Sequence, residues 1–90
     1  MKIAVNCDWG CFFMPEAFRK EFPNMEYDYT LENFRVHPAL IQWIEEHPQE
    51  MKETDIEIRE IPSNATDFLI NEYDGIETIL YVVNGKIYVE

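Results

Sequence analysis

The sequence predicts an α+β domain: a mainly antiparallel sheet of four to five strands with two short helices packed on one face. Three observations carry that expectation. Apolar residues alternate along 2–6 and 55–61. Two turn dipeptides, Asp74-Gly75 and Asn84-Gly85, separate apolar runs near the end of the chain. Two stretches opened by Pro15 and Pro38 repeat their apolar residues at helical spacing.

The 90 residues make one domain, 1–90, without a linker, an internal repeat or a low-complexity tract. A composition that is 47% hydrophobic and 14% aromatic supports a folded core despite the charge. The first strand covers Lys2–Asn6, with Ile3 and Val5 facing one way. Residues 7–13 form a loop with Gly10 as its flexible point. Met14, Ala17, Phe18 and Phe22 place a helix over 15–22, which Pro23 ends. Residues 24–36 have no clean period. Tyr27, Tyr29, Leu31 and Phe34 are expected to pin a long loop there. Pro38 starts a second helix with Leu40, Ile41 and Ile44 as its stripe and Trp43 at the margin. Pro48 stops it near His47, and 49–54 reads as a charged connector or a frayed turn. Ile56 and Ile58 share one face of the strand at 55–61.

Three strands follow, at about 67–72, 76–83 and 86–89. Asn84-Gly85 suits a two-residue type I′ turn, which pairs Val83 with Lys86 and Tyr81 with Tyr88. At Asp74-Gly75 a two-residue turn would set Glu72 opposite Glu77, and like charges there are unfavourable. A three-residue loop with a bulge avoids this and pairs Glu72 with Ile76. That register gathers Phe68, Ile70, Ile76, Leu80, Val82, Ile87 and Val89 on a core-facing side, to be covered by the helices. The opposite side then carries Leu69, Ile79, Tyr81 and Tyr88 with the carboxylates of Glu72, Asp74 and Glu77 nearby. It is too apolar for a solvated face. Either the 24–36 loop covers it or it is an interaction surface for a protein partner or for a second copy of the chain.

The net charge is −11 and unevenly spread. Residues 45–90 hold twelve acids against three bases, while residues 1–44 hold six against four. Such a surface repels nucleic acid and anionic membranes and attracts a basic protein surface. No apolar run is long enough to span a bilayer, and no signal-peptide pattern opens the chain, so a cytoplasmic protein is expected.

The chemistry-bearing residues are sparse. Cys7 and Cys11 have the spacing of half a zinc site, without the other half. A small metal-binding or cysteine-dependent enzyme would need Cys7, Cys11 and His37 together. Asp8 beside Cys7 would raise the thiol pKa and weaken it as a nucleophile. Neither a phosphate loop nor a nucleophile elbow is present, and no cofactor is implied. With 18 acids, carboxylate pairs arise by chance, and no catalytic residue is assigned.

Three segments in order carry a family resemblance. They are Met1-Lys2-Ile3-Ala4-Val5-Asn6-Cys7, Arg35-Val36-His37-Pro38 leading into an acidic helix, and Ile58-Arg59-Glu60-Ile61-Pro62 followed by Glu72-Tyr73-Asp74-Gly75. Together they resemble a group of small, acidic, uncharacterised phage and prophage proteins with "EIPD…" and "EYDG" segments. This chain departs from them in having His37 where an acid usually precedes the helix proline. The resemblance implies a viral accessory context inside a bacterial host cell, and no particular activity. The reading that results is a phage accessory protein acting non-catalytically through protein contacts. Its sharper form is an inhibitor of a host defence or nucleic-acid-binding enzyme.

Overall fold

The structure is a computed structural model that describes residues 1–25 and 32–90. The expected cover by Tyr27, Tyr29 and Leu31 lies outside the described residues. The fold is α+β, and among the described residues five strands are divided between two antiparallel sheets. Strands β1 (Lys2–Asn6) and β2 (Ile56–Glu60) form a ribbon. Strands β3 (Asp67–Tyr73), β4 (Ile76–Val83) and β5 (Lys86–Val89) form a meander. Helices α1 (Glu16–Glu21), α2 (Glu32–Arg35) and α3 (Pro38–Glu46) lie between the two ribbon strands in sequence, followed by a 3-10 turn at Glu50–Glu53. Among the described residues no helix is long and apolar enough to cross a membrane.

The ribbon is the middle layer. Strand alternation sends Ala4, Ile56 and Ile58 to one face and Ile3 and Val5 to the other. On the first face they meet the helices through Phe18, Leu40, Ile41, Trp43 and Ile44, with Phe12, Met14, Phe34 and Met51 completing the cluster. On the second face Ile3, Val5 and Ile61 meet Ile79, backed by Phe68, Ile70 and Tyr81 of the meander. The helices therefore pack on the ribbon, and the meander packs on the ribbon's far side.

Both prolines act as expected. Pro38 occupies the first turn of α3, and His37 caps it by accepting the Ala39 N–H at Nδ1, 3.1 Å away. The helix closes at Glu46, just before Pro48. Trp43 is buried rather than marginal. Its indole packs edge-on against Phe18, and its N–H donates to Glu21 Oε2 at 2.6 Å, so no polar group is stranded.

One register differs from expectation. The β4–β5 pairing is the predicted one, with Asn84 and Gly85 both at positive φ. The β3–β4 hairpin, however, also closes through two residues: Asp74 and Gly75 have φ of 52° and 90°. Glu72 does face Glu77, Ile70 faces Ile79, and Phe68 faces Tyr81. The repulsion is relieved because each carboxylate has its own partner. Glu72 Oε1 accepts the Gly75 N–H, and Glu77 pairs with Arg35. A one-residue slip turns a whole strand over. The side of β4 carrying Glu77, Ile79 and Tyr81 is thus the inner one. Leu80, Val82, Ile87 and Val89 lie on the outer side with Leu69.

Candidate functional site

The hairpin turn at Asp74-Gly75 and the loop at Gly10 come together over the end of β1. A Cβ at Gly75 would overlap the Gly10 carbonyl, so only glycine permits this approach. Asn6 fastens the junction. Its side-chain amide donates to the Gly75 carbonyl at 2.7 Å and to the Asp8 carbonyl at 2.8 Å.

Beside this junction lies a buried ion pair. Arg35 Nη1 and Nη2 bond the two Glu77 oxygens at 2.6 and 2.8 Å, in the forked geometry that arginine and a carboxylate share. The guanidinium carbon sits 3.7 Å above the Phe12 ring centroid. Nη1 also reaches the Ala4 carbonyl at 3.3 Å, and Glu77 Oε1 accepts the Asn6 backbone N–H at 2.7 Å.

These last two bonds have a structural meaning. Met1 and Ile61 exchange backbone bonds, and the Cys7 N–H bonds Asp55, so the odd residues of β1 face β2. The even residues point to the other edge. Arg35 and Glu77 satisfy the Ala4 carbonyl and the Asn6 amide there. The ion pair thus seals the free edge of a strand that is buried on both faces.

A cleft of about 330 Å³ opens next to the pair. Its lining includes Gly10, Cys11, Glu32, Ile70 and Glu72. Among the described residues no histidine contributes to it, and the Arg35 guanidinium in its lining is bonded to Glu77. Among the described residues the cleft brings carboxylates together with no activated nucleophile or metal cluster beside them, and we assign it no chemistry.

The cysteines are separated in role. Cys11 is exposed, whereas Cys7 is half-buried with its Sγ 3.3 Å from Arg59 Nη2. Burial pushes the Cys7 thiol above its ordinary range, and Glu57 pushes it the same way, while Arg59 acts against both. On balance these influences disfavour the thiolate and weaken Cys7 as a nucleophile. His37 is engaged as the α3 cap. Among the described residues no group of three or more His, Cys, Asp or Glu is placed to hold a metal ion.

The residues anticipated as an interaction surface are dispersed. Ile79 is fully buried in the meander–ribbon core, and Glu77 is enclosed in the ion pair. Glu72 and Asp74 build the hairpin turn. Tyr81 and Tyr88 stack at 5.5 Å on the inner side, with Tyr88 exposed. Leu69 is exposed on the outer side. That outer side, with Leu69, Ile76, Ile87 and Val89 all open to solvent, is the apolar surface of the sheet. A shallow groove crosses it between Leu69, Leu80, Val82 and Ile87. Arg35, Asn6 and Phe12 had no sequence signature of their own. The available hint was Glu77, one charge set in the apolar run Ile76–Val83. Comparison of the chain with protein-family models, with curated proteins and with solved structures returned no match.

Proposed function

We propose that this protein acts non-catalytically, as a small acidic accessory protein of a phage or prophage that binds another protein. The observation that carries this reading is the outer face of the meander, where exposed Leu69, Ile87 and Val89 lie around Leu80 and Val82. Contiguous apolar surface of this kind on a small domain favours a macromolecular partner. Asp67 stands at its margin, opposite Val82. The partner surface that fits is an apolar patch ringed by lysine or arginine, as on a host defence or nucleic-acid-binding enzyme. Placement in the bacterial cytoplasm follows from this reading.

A cysteine- or metal-dependent enzyme built on Cys7, Cys11 and His37 gains no comparable support. Burial and Glu57 disfavour the Cys7 thiolate, and His37 Nδ1 is engaged as a cap.

The test is capture by tagged protein from infected cells at a series of salt concentrations, beside a Leu69→Asp variant. Retention of the partner is expected to fall steeply with salt and to be lost in the variant. Retention indifferent to both would refute the proposal.

A further inference from the structure

The meander ends in a strand with an open edge. Ile79 and Glu90 exchange both backbone hydrogen bonds, at 2.8 and 3.3 Å. By alternation the even residues of β5 face β4, and the amides and carbonyls of Ile87 and Val89 point away from it. Among the described residues no hydrogen bond reaches those groups. Every residue of β5 is exposed. The sheet's other edge differs: on β3 the Phe68 N–H is taken by Asp67 Oδ1 at 2.9 Å.

We infer that β5 pairs antiparallel with β5 of a second copy of this chain, making one six-stranded sheet with a two-fold axis at Tyr88. The register is selected by two conditions. Outward residues must face outward residues, so odd positions pair with odd positions. Among the registers that allow this, centring on Tyr88 sets Ile87 opposite Val89 of the partner and Lys86 opposite Glu90 of the partner. Symmetry repeats each of these pairs. Four backbone hydrogen bonds form between the Ile87 and Val89 positions, and two opposite-charge pairs close the ends. Centring on Ile87 would oppose Lys86 to Tyr88, and centring on Val89 would oppose Tyr88 to Glu90, so both forfeit the charge match.

Lysine on an edge strand ordinarily discourages such pairing. Here Lys86 finds its countercharge at Glu90 of the partner, one residue past the partner's β5. Within one copy Glu90 forms no ion pair among the described residues and is the weakest of the influences on Arg59. The association is closed rather than fibrous, since a two-fold pairing consumes both β5 edges. It uses the edge of the sheet, not its outer face, and stands apart from the partner reading above.

Sedimentation of the full chain over a concentration series tests this. A reversible monomer–dimer equilibrium is expected. Val89→Pro removes an outward N–H that β4 does not use, so it should abolish the dimer while the circular dichroism spectrum and thermal melt are retained. Lys86→Glu and Glu90→Lys each place like charges opposite one another and should weaken self-association on the order of tenfold or more. Mixing these two variants restores both charge pairs and should regenerate a dimer, now a heterodimer. The charge variants alter exposed side chains only, so they decide the matter even if the proline variant unfolds. A chain monomeric at all concentrations would overturn the inference. So would a dimer untouched by the charge reversals, or variants that fail to associate when mixed.

Discussion

Strands β1 and β5 begin almost identically, Lys2-Ile3-Ala4-Val5 against Lys86-Ile87-Tyr88-Val89. Their environments are opposite. Ile3 and Val5 are 0% and 1% exposed, while Ile87 and Val89 are 72% and 65% exposed. The second edge of β1 is sealed by Arg35 and Glu77, whereas the second edge of β5 meets nothing among the described residues. The comparison teaches that apolar alternation specifies a strand but not its depth. Depth is conferred by what the rest of the chain brings to each face and edge.

The largest effect is expected where the edge of β1 is sealed. Glu77→Ala removes the forked carboxylate that pairs with buried Arg35 and should cost about 3–5 kcal/mol. Chemical denaturation measures it. Replacing both partners, as Arg35→Met with Glu77→Leu, should recover part of that loss, since neither buried charge then has to be desolvated. Equal instability of the double and single variants would show that the lost bonds to the Ala4 carbonyl and the Asn6 amide, which methionine and leucine cannot make, carry the loss.

The matched isoleucines sharpen the contrast between the strands. Ile3→Ala should lower stability by roughly 2–5 kcal/mol, because it opens a cavity between the layers. Ile87→Ala should stay within about 0.5 kcal/mol in the monomer, as surface changes usually do. Comparable losses at both positions would mean that β5 is as well covered as β1.

The two hairpin glycines offer a smaller test of the same kind. Gly75→Ala meets both positive φ and the Gly10 backbone, whereas Gly85→Ala meets positive φ with open space around it. The second should cost about 1–2 kcal/mol through backbone strain, and the first distinctly more. Thermal melts of the two variants rank them.

The smallest effect concerns reactivity at the end of β1. Alkylation depends on the thiolate, so Cys7 should react more slowly than exposed Cys11, and its pH profile should be displaced upward. Arg59 favours the thiolate, so Arg59→Ala should move that profile higher still. Glu57→Ala removes an influence in the other direction and should move it lower. Mass-spectrometric alkylation rates across a pH series report all three.

Much of the local structure is legible in the residues themselves. Alternation located all five strands, and Pro38 and Pro48 bracketed α3. Asn84-Gly85 specified both its turn and the register it imposes. The four-residue helix α2 left no trace, because Glu32–Arg35 is too short to show a period. The β3–β4 register is not legible in the local sequence, for a definite reason. Glu72 facing Glu77 is unfavourable when only the two strands are considered. It becomes acceptable once Arg35, 42 positions away in the chain, supplies a charge. The anticipated contact surface inverted with that register, so Ile79 moved to the core and Ile87 to the surface.

The sequence by itself therefore determined the class of fold, the placing of strands and helices, and the acidic character of the second half. These depend on short-range periodicity, turn chemistry and composition. Only the tertiary structure decided which side of the meander is inner, which strand is sealed at its edge and which is left open. Those outcomes rest on a guanidinium, an asparagine and a glycine contact between distant segments, and no local pattern encodes distance across the fold.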